Sequence, residues 1–228
     1  GEPSALLSIV IPTLNAENEL PATLECLSHT GFASEIIVAD GGSNDATPAI
    51  AADAGAKFTA TLGGRGAQMA AAAMYATGDW LLFLHADTRP QAGWSHAVAD
   101  FMDNPRNRYR AAYFQFALND GSAAARRVER LVQWRCRAWG LPYGDQGLLI
   151  SSEFYDFLGG MPPIPLMEDV ELVRRIGRSR LVQLATSAVT SAERYRRGGY
   201  WLRPARNLLC LGLHFAGLPP RLIAGLYE

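Results

Sequence analysis

The strongest constraint on how this chain can fold is an uninterrupted run of five large apolar residues, 80–84, which stops in His85-Ala86-Asp87. The run has no polar alternation, which favours a strand buried on both faces of a parallel sheet. Asp87 then lies at the carboxyl end of that strand, the edge where open α/β sheets bind their ligands. A carboxylate there can hold a hard divalent cation against phosphate oxygens. An Asp that caps a following helix fits this segment equally well.

A second apolar segment ends in a carboxylate in the same way. Residues 35–40 run from a glutamate through Ile-Ile-Val-Ala to Asp40, and two glycines follow. Glycines after a strand let the backbone approach a ligand closely, and a nearby Asp can accept a hydrogen bond from a base or ribose. We therefore expect two acidic strand ends at one sheet edge, although Asp-Gly-Gly alone also makes an ordinary turn.

The first predicted strand, residues 7–11, ends at Pro12. Proline cannot extend a central strand, so we expect the chain to turn there. Thr13, Asn15 and Glu17 follow, and leucines at helical spacing then predict a helix. The polar residues of this turn either face the ligand cleft or cap that helix.

Four segments, in this order, resemble the motifs of the family 2 glycosyltransferases, which are nucleotide-sugar-dependent enzymes of the A-type fold. They are residues 8–17, 37–45, 78–87 and 167–169. The resemblance implies an α/β fold with a mostly parallel, Rossmann-like sheet flanked by helices and an antiparallel portion on the acceptor side. It implies a single domain over residues 1–228, with a nucleotide-binding half at about 6–90 and an acceptor half with the C-terminal helices at about 91–228.

The resemblance also implies roles for individual residues. The nucleotide donor would contact Pro12, Thr13, Asn15, Glu17, Asp40 and Asp87. Asp87 would hold Mg2+ or Mn2+, and Asp169 would act as catalytic base. The family's metal motif is commonly Asp-x-Asp, and here His85 replaces the first acid. His85 either coordinates the metal, hydrogen-bonds a phosphate or packs without a ligand.

Arg65 follows two glycines and precedes an alanine-rich stretch that predicts a helix. The amides at the start of this helix and the Arg65 guanidinium could meet diphosphate oxygens of the donor. The alternative is a flexible loop on which Arg65 is solvated.

The adjacent acids Glu168 and Asp169 follow a proline-rich stretch and begin a predicted helix, where the helix dipole stabilises carboxylates on any helix. Adjacent side chains point in different directions, so only one acid faces the cleft, and the resemblance favours Asp169. Glu168 then serves the helix start, a nearby Arg or the acceptor. In the turn-rich segment 141–147, Asp145 and Gln146 either contact donor sugar or acceptor hydroxyls or form a structural turn.

Sugar transfer from a nucleotide diphosphate needs a base for the acceptor hydroxyl and positive charge on the leaving diphosphate. One base without a second paired acid predicts a single displacement with inversion. The resemblance implies a UDP- or GDP-sugar as the donor, and we expect the acceptor to be a small-molecule or lipid-linked hydroxyl that the sequence does not identify. The Gln-x-x-Arg-Trp motif of processive synthases is missing, which predicts a non-processive enzyme.

Two other functions are compatible with parts of this pattern. A non-catalytic nucleotide-sugar-binding protein would keep the donor residues, and Asp169 would be incidental. A sugar-phosphate nucleotidyltransferase can share the sheet, but it normally has a glycine-rich loop after the first strand, where this chain has Pro-Thr-Leu-Asn.

The composition, with 49% hydrophobic and 19% charged residues and a net charge of -1, agrees with a soluble enzyme and argues against a nucleic-acid-binding surface. No apolar run is long enough to span a bilayer, and three cysteines without metal-ligand spacing suit a reducing compartment. We expect a cytoplasmic location, including a peripheral position at the inner membrane face.

Three segments of the second half carry more open predictions. Residues 112–118 predict a half-exposed strand antiparallel to the rest. The arginine-rich helix 124–139 either rests on an anionic membrane, contacts an acceptor, or lines the acceptor side with its arginines solvated. The apolar segment 208–218 forms a subunit contact in a homodimer, a packed helix or a membrane-surface anchor.

Overall fold

The computed structural model describes residues 5–142, 144–164, 166–198, 200 and 202–227. Tyr143 and Pro165, which fall inside two predicted segments, lie outside the described residues. The strands are β1 (Leu7–Thr13), β2 (Ser34–Asp40), β3 (Lys57–Ala60), β4 (Trp80–Phe83), β5 (Thr88–Pro90), β6 (Ala111–Leu118), β7 (Leu148–Ser151) and β8 (Leu181–Thr190). The α-helices are α1 (Leu20–Leu27), α2 (Thr47–Asp53), α3 (Arg65–Tyr75), α4 (Trp94–Asp103), α5 (Ala123–Trp139), α6 (Ser152–Phe157), α7 (Glu168–Ile176), α8 (Glu193–Gly198), α9 (Leu202–Phe215) and α10 (Pro220–Tyr227). Short 3-10 helices cover Pro105–Asn107, Gly144–Gln146 and Arg178–Arg180.

The described strands form one mixed sheet in the order β3-β2-β1-β4-β7-β6-β8-β5. Strands β1 to β4 pair in parallel, as strands that alternate with helices are expected to do. Strand β7 is antiparallel to both of its neighbours, β4 and β6, and β5 is antiparallel to β8. The predicted α/β class, with a parallel half and an antiparallel portion, is confirmed.

Strand β4 is buried on both faces, as its unbroken apolar sequence predicts. Leu81 and Phe83 pack into one core layer with helices α3 and α7. Trp80 and Leu82 pack into the opposite layer with α1 and α4. All four side chains are buried, so Asp87 lies in the loop that follows a strand dry on both faces.

The predicted turn at Pro12 is wrong, because β1 continues through Pro12 to Thr13. Amides along β1 alternate between its two neighbouring strands, and the Thr13 carbonyl accepts from Gly41 on the β2 side. Pro12 therefore faces the β4 side, where pairing with β4 ends at Val10 and Phe83. The missing N–H removes no ladder hydrogen bond, so this central strand tolerates a proline near its end.

The prediction for residues 112–118 is wrong in direction and in exposure. Strand β6 is antiparallel to β7 but parallel to β8, so it runs in the same direction as β1 to β4. The strand is also mostly buried, because Phe114 faces one apolar layer while Tyr113 and Phe116 face another beneath α5. The alternation in its sequence reflects two apolar surroundings of different shape rather than water on one side.

The C-terminal helix α9 packs partly against α7. His214 Nε2 lies 2.5 Å from Glu171 Oε1, and the Arg174 guanidinium lies 4.8 Å from the centre of the Phe215 ring. Cys210 is also buried. Of the three alternatives for segment 208–218, these contacts favour a packed helix. No helix in the described part of the chain is both long and apolar enough to cross a bilayer.

Candidate functional site

The loops that follow β1 and β2 are joined side by side by reciprocal hydrogen bonds. The Asn15 amide donates to Ser43 Oγ at 2.8 Å, and Asn15 Oδ1 accepts from the Asn44 amide at 2.8 Å. Glu17 Oε2 accepts from the Ala46 amide at 3.0 Å, at the start of α2. Asn15 has a φ of 50°, a left-handed conformation that Asn tolerates. These side chains do not cap α1, and they hold the two loops together at the sheet edge.

Asp40 lies beneath the second of these loops and is 2% exposed. Its carboxylate accepts hydrogen bonds from Thr13 Oγ1, Ser43 Oγ and the amides of Gly42 and Ser43, at 2.6 to 2.9 Å. Burial by itself raises the pKa of Asp40, but these hydrogen bonds outweigh it and the pKa is lowered. Asp40 thus carries its charge and organises the loop, and its contact with a nucleotide base stays a prediction.

Gln68, a residue that the motifs did not single out, fixes the ends of β1 and β2 from below. Its Nε2 donates to the Thr13 carbonyl at 2.9 Å and to the Ala39 carbonyl at 2.7 Å. A Cβ atom at Gly41 would lie 3.0 Å from the Gln68 side chain, so this glycine lets α3 approach the loop.

Three carboxylates from separate parts of the chain approach one another at this edge: those of Asp87, Asp145 and Asp169. Asp87 follows β4 and is 9% exposed. Thr88 and Thr190 each donate a hydroxyl hydrogen bond to the Asp145 carbonyl, at 3.5 and 3.3 Å. The short helix that carries Asp145 is therefore held directly beside Asp87.

The pKa of Asp145 reflects the nearby charges of the other two acids. Burial raises the pKa of Asp145, the negative charges of Asp169 and Asp87 raise it further, and Arg135 and Arg65 oppose the rise, leaving a pKa of about 6. Asp145 as a residue is partly exposed, but its Oδ1 is buried and accepts no hydrogen bond from the described residues. Shifted pKa values of this kind, with charged neighbours as their cause, cluster at functional sites.

Glu168 and Arg65 form an ion pair between the first residues of α7 and α3. Arg65 Nε lies 3.2 Å from Glu168 Oε1, and the Glu168 side chain has no exposed surface. Burial raises the pKa of Glu168, the charge of Asp169 adds to this, and Arg65 opposes it. The adjacent acids thus have different surroundings: Glu168 is buried against Arg65, whereas Asp169 is partly exposed and lines a small cavity.

His85 and Asp169 line the same small cavity of about 20 Å³, which is large enough for about one water molecule. The rest of the lining is mostly apolar, from Met69, Phe83, Pro142, Gly147, Leu148, Met161 and Val173. The structure therefore brings His85 to the acidic group formed by Asp87, Asp145 and Asp169.

Gln146 points into the interior and is 1% exposed. Its Oε1 accepts from Arg135 Nη2 at 3.3 Å, and its Nε2 donates to the Phe114 carbonyl at 3.3 Å. These contacts hold the segment that carries Asp145, and they direct the Gln146 side chain into the interior.

Arg135 corrects the expectation that the arginines of α5 are all solvated. It is 8% exposed, and its Nε donates to the Leu141 carbonyl at 2.8 Å. The signal in the sequence was its spacing, because Arg135 lies three and seven residues after Val132 and Val128, which are buried on the same face of the helix.

The acidic group fits a hard divalent cation. Carboxylate oxygens are the ligands that Mg2+ and Mn2+ prefer, and a bound cation would satisfy the buried Oδ1 of Asp145 and relieve the repulsion that raises its pKa. Within the described residues, no three His, Cys, Asp or Glu side chains are already arranged as a metal cluster. A cation held by Asp87 would need oxygen ligands from a second molecule, as diphosphates supply.

Residues 8–139, more than half of the chain, match the family described as glycosyl transferase family 2. The chain belongs to glycosyl transferase family 2. A curated relative, the 4,4'-diaponeurosporenoate glycosyltransferase of Staphylococcus haemolyticus, is 33% identical over 119 residues. The match covers 48% of this chain and 31% of that protein, so the chain spans about a third of the relative's length.

Solved structures of glycosyltransferases share the fold of this family 2 chain. Glucosyl-3-phosphoglycerate synthase from Mycobacterium tuberculosis, in complex with Mn2+, UDP and glucosyl-3-phosphoglycerate, has a TM-score of 0.58 at 19% identity, covering 82% of this chain and 70% of that chain. TarS 1-349 of S. aureus with UDP has a TM-score of 0.64 at 16% identity, covering 97% of this chain and 69% of that chain. At these identities the likeness shows the fold, and it confirms the predicted A-type architecture.

Proposed function

We propose that this glycosyltransferase moves a sugar from a UDP- or GDP-linked donor to a hydroxyl acceptor in one displacement with inversion at the anomeric carbon. The observation that carries the proposal is the convergence of Asp87, Asp145 and Asp169 beside the joined loops of β1 and β2. Family membership supports the reaction class, and the complexes of similar folds with UDP and Mn2+ support the donor class.

The donor would lie across the carboxyl ends of β1, β2 and β4. The nucleoside would bind to the two loops that the hydrogen bonds of Asn15 and Glu17 hold together, above Asp40. Asp87, with His85 beside it, would hold Mg2+ or Mn2+, which supplies positive charge to the leaving diphosphate. Arg65, at the amino end of α3, would add a second positive charge to the same oxygens.

Asp169 would act as the base. As the acceptor oxygen bonds to the anomeric carbon and the nucleoside diphosphate departs, Asp169 takes the hydroxyl proton. Glu168 is less suited to this role because it is fully buried and paired with Arg65, whereas Asp169 is partly exposed and lines the cavity with His85.

Asp145 would accept a hydrogen bond from a hydroxyl of the donor sugar or the acceptor. Arg135 would act on it as a positioning residue, because its guanidinium holds the Leu141 carbonyl and Gln146 and offsets the charge of Asp145. The free thiols Cys26, Cys136 and Cys210 fit a reducing compartment, and we propose the cytoplasm as the location.

A thermal-shift screen of nucleotide sugars, with and without Mn2+, tests this proposal, because a true donor stabilises only the folded state. We expect a UDP- or GDP-sugar to raise the Tm only when Mn2+ is present, and Asp87→Asn to abolish that rise. Asp103→Asn, which alters an exposed acid at the end of α4, is the matched control and should behave as wild type. No stabilisation by any nucleotide sugar, or an equal rise in Asp87→Asn, would overturn the proposal.

A further inference from the structure

The outward face of α5 carries a stripe of exposed aromatic and basic residues. Trp134 is 53% exposed and lies on the side opposite to the buried face, and Leu131 is 37% exposed and lies on the flank next to it. Arg130 and Arg127, which are both exposed, lie about one turn and two turns before Trp134 on the same stripe. The stripe therefore presents arginines and large apolar side chains to solvent together.

The aromatic part of the stripe is held in place by a second tryptophan. The rings of Trp134 and Trp139, which is 51% exposed, meet edge to face with their centres 5.2 Å apart. Tryptophans are commonly buried in globular proteins, and exposed large apolar side chains in a cluster mark interaction surfaces.

The charge of α5 differs from that of the whole protein. Residues 123–139 contain five arginines and one glutamate, a formal charge of +4, whereas the chain as a whole has a net charge of -1. One arginine, Arg135, is buried, and the single acid, Glu129, pairs with Arg126 at 2.6 Å. The exposed stripe is thus positive in a protein whose net charge is slightly negative.

We propose that this face of α5 is a docking surface for an anionic phospholipid bilayer. Tryptophans favour the headgroup level of a bilayer, and arginines near an anionic surface each strengthen the attraction. The positive charge favours an anionic surface over a second copy of this chain, because two such stripes brought together would repel each other. A helix with one buried face and a tryptophan and arginine face suits binding in the interface plane.

The position of α5 would bring a docked bilayer close to the candidate site, where the sugar acceptor would bind. The face of α5 opposite to the stripe contacts the segment that carries Asp145, through Arg135 and Cys136. A helix is only about 10 Å across, so a bilayer at the stripe would lie close to that segment. On the proposed function, on which this step rests, the acceptor hydroxyl belongs to a membrane lipid.

Vesicle flotation of the full chain tests the docking without any turnover, so its failure is distinguishable from failure of the proposed function. The vesicles contain either phosphatidylcholine alone or phosphatidylcholine with phosphatidylglycerol. We expect binding to the anionic vesicles only, weakened by added salt. Arg127→Gln/Arg130→Gln should reduce partitioning by about 30-fold, and Trp134→Ala/Trp139→Ala by about tenfold or more.

Two control variants test whether the effect belongs to α5. Arg106→Gln/Arg110→Gln removes the same charge from exposed arginines elsewhere, and Leu209→Ser/Leu222→Ser removes exposed leucines of α9 and α10. Both controls should bind as wild type, and all variants should keep the wild-type circular dichroism, because the changed side chains are exposed. No binding to anionic vesicles, equal binding to neutral ones, or loss only in the leucine variant would overturn the proposal.

Discussion

Arg65 Nε lies 3.2 Å from Oε1 of Glu168, a carboxylate with no exposed surface. This pair joins the amino ends of α3 and α7, the helices that present the proposed diphosphate contact and the proposed base. This ion pair therefore links the proposed diphosphate contact to the segment that carries the proposed base.

Breaking that pair should destabilise the protein in a pH-dependent way. Arg65→Gln leaves Glu168 buried without compensation, and we expect a loss of about 2–3 kcal/mol in the free energy of unfolding. The pKa of Glu168 is already raised, so the folded state binds a proton more readily than the unfolded state and the loss should grow as pH rises. Urea unfolding at several pH values measures this. The double variant Arg65→Gln/Glu168→Gln should regain most of the loss, and a double variant as unstable as the single one would contradict the account.

Asp145→Asn should stabilise the protein. Folding raises the pKa of Asp145 to about 6, from an ordinary value of about 4, so ionising this group costs stability as pH rises between those values. We expect the variant to gain up to about 2 kcal/mol near neutral pH and nothing below about pH 4. Donor hydrolysis should fall at the same time. If the variant were less stable than wild type at neutral pH, the raised pKa of Asp145 and its cost to stability would be contradicted.

Gly66→Ala should separate α3 from the segment that leads to the acid pair. A Cβ atom at Gly66 would lie 2.6 Å from the Ile164 carbonyl oxygen and would also clash with the Pro162 carbonyl. These are backbone atoms that cannot move aside easily, so we expect a loss of about 2 kcal/mol or more and a lower rate of transfer. Gly212→Ala is the control, because this glycine of α9 has open space around it. We expect this variant to keep the stability and the transfer rate of wild type. Differential scanning calorimetry separates the two variants.

Glu35→Gln should lower stability at neutral pH but not in acid. Burial raises the pKa of Glu35, but hydrogen bonds from Lys57, Ser8 and Thr77 outweigh it and bring the pKa to about 2. The charged form is therefore favoured by folding, and this contribution is present above about pH 5 and lost as pH falls toward 2. Because Lys57 is half exposed, we expect only about 1–2 kcal/mol at neutral pH. Glu25→Gln, at an exposed site, should show no such dependence in urea unfolding.

The parts of this fold that sequence predicts best are those with one dominant cause. Residues 80–84 have no polar member, which favours a strand buried on both faces, and β4 is such a strand. Strand β6 has two different apolar layers on its faces, and its alternating sequence resembles that of a half-exposed strand. Its direction depends on β7, which lies far along the chain, and no local pattern in residues 112–118 encodes that neighbour.

The candidate site also contains residues that the sequence predicts and residues that it does not. Acids at strand ends could be found one by one, because apolar runs that stop in a carboxylate are local signals. The structural role of Gln146 could not be predicted from the sequence. Its hydrogen-bond partners belong to Arg135 and Phe114, and only the packing of α5 on β6 brings them close to it. The pairing of Arg65 with Glu168 joins residues about a hundred positions apart and depends on the same tertiary packing.

The proposed reaction depends on two acids, Asp169 as the base that removes the acceptor proton and Asp87 as the residue that holds the donor. Hydrolysis of the donor sugar with Mn2+, followed in wild type, Asp169→Asn and the exposed-acid control Asp103→Asn, tests it most directly. We predict that Asp169→Asn binds the donor as wild type does but hydrolyses it at least about a hundredfold more slowly, while the control is unchanged. Equal slow rates in wild type and Asp169→Asn would contradict the claim and indicate a nucleotide-sugar-binding protein without catalysis.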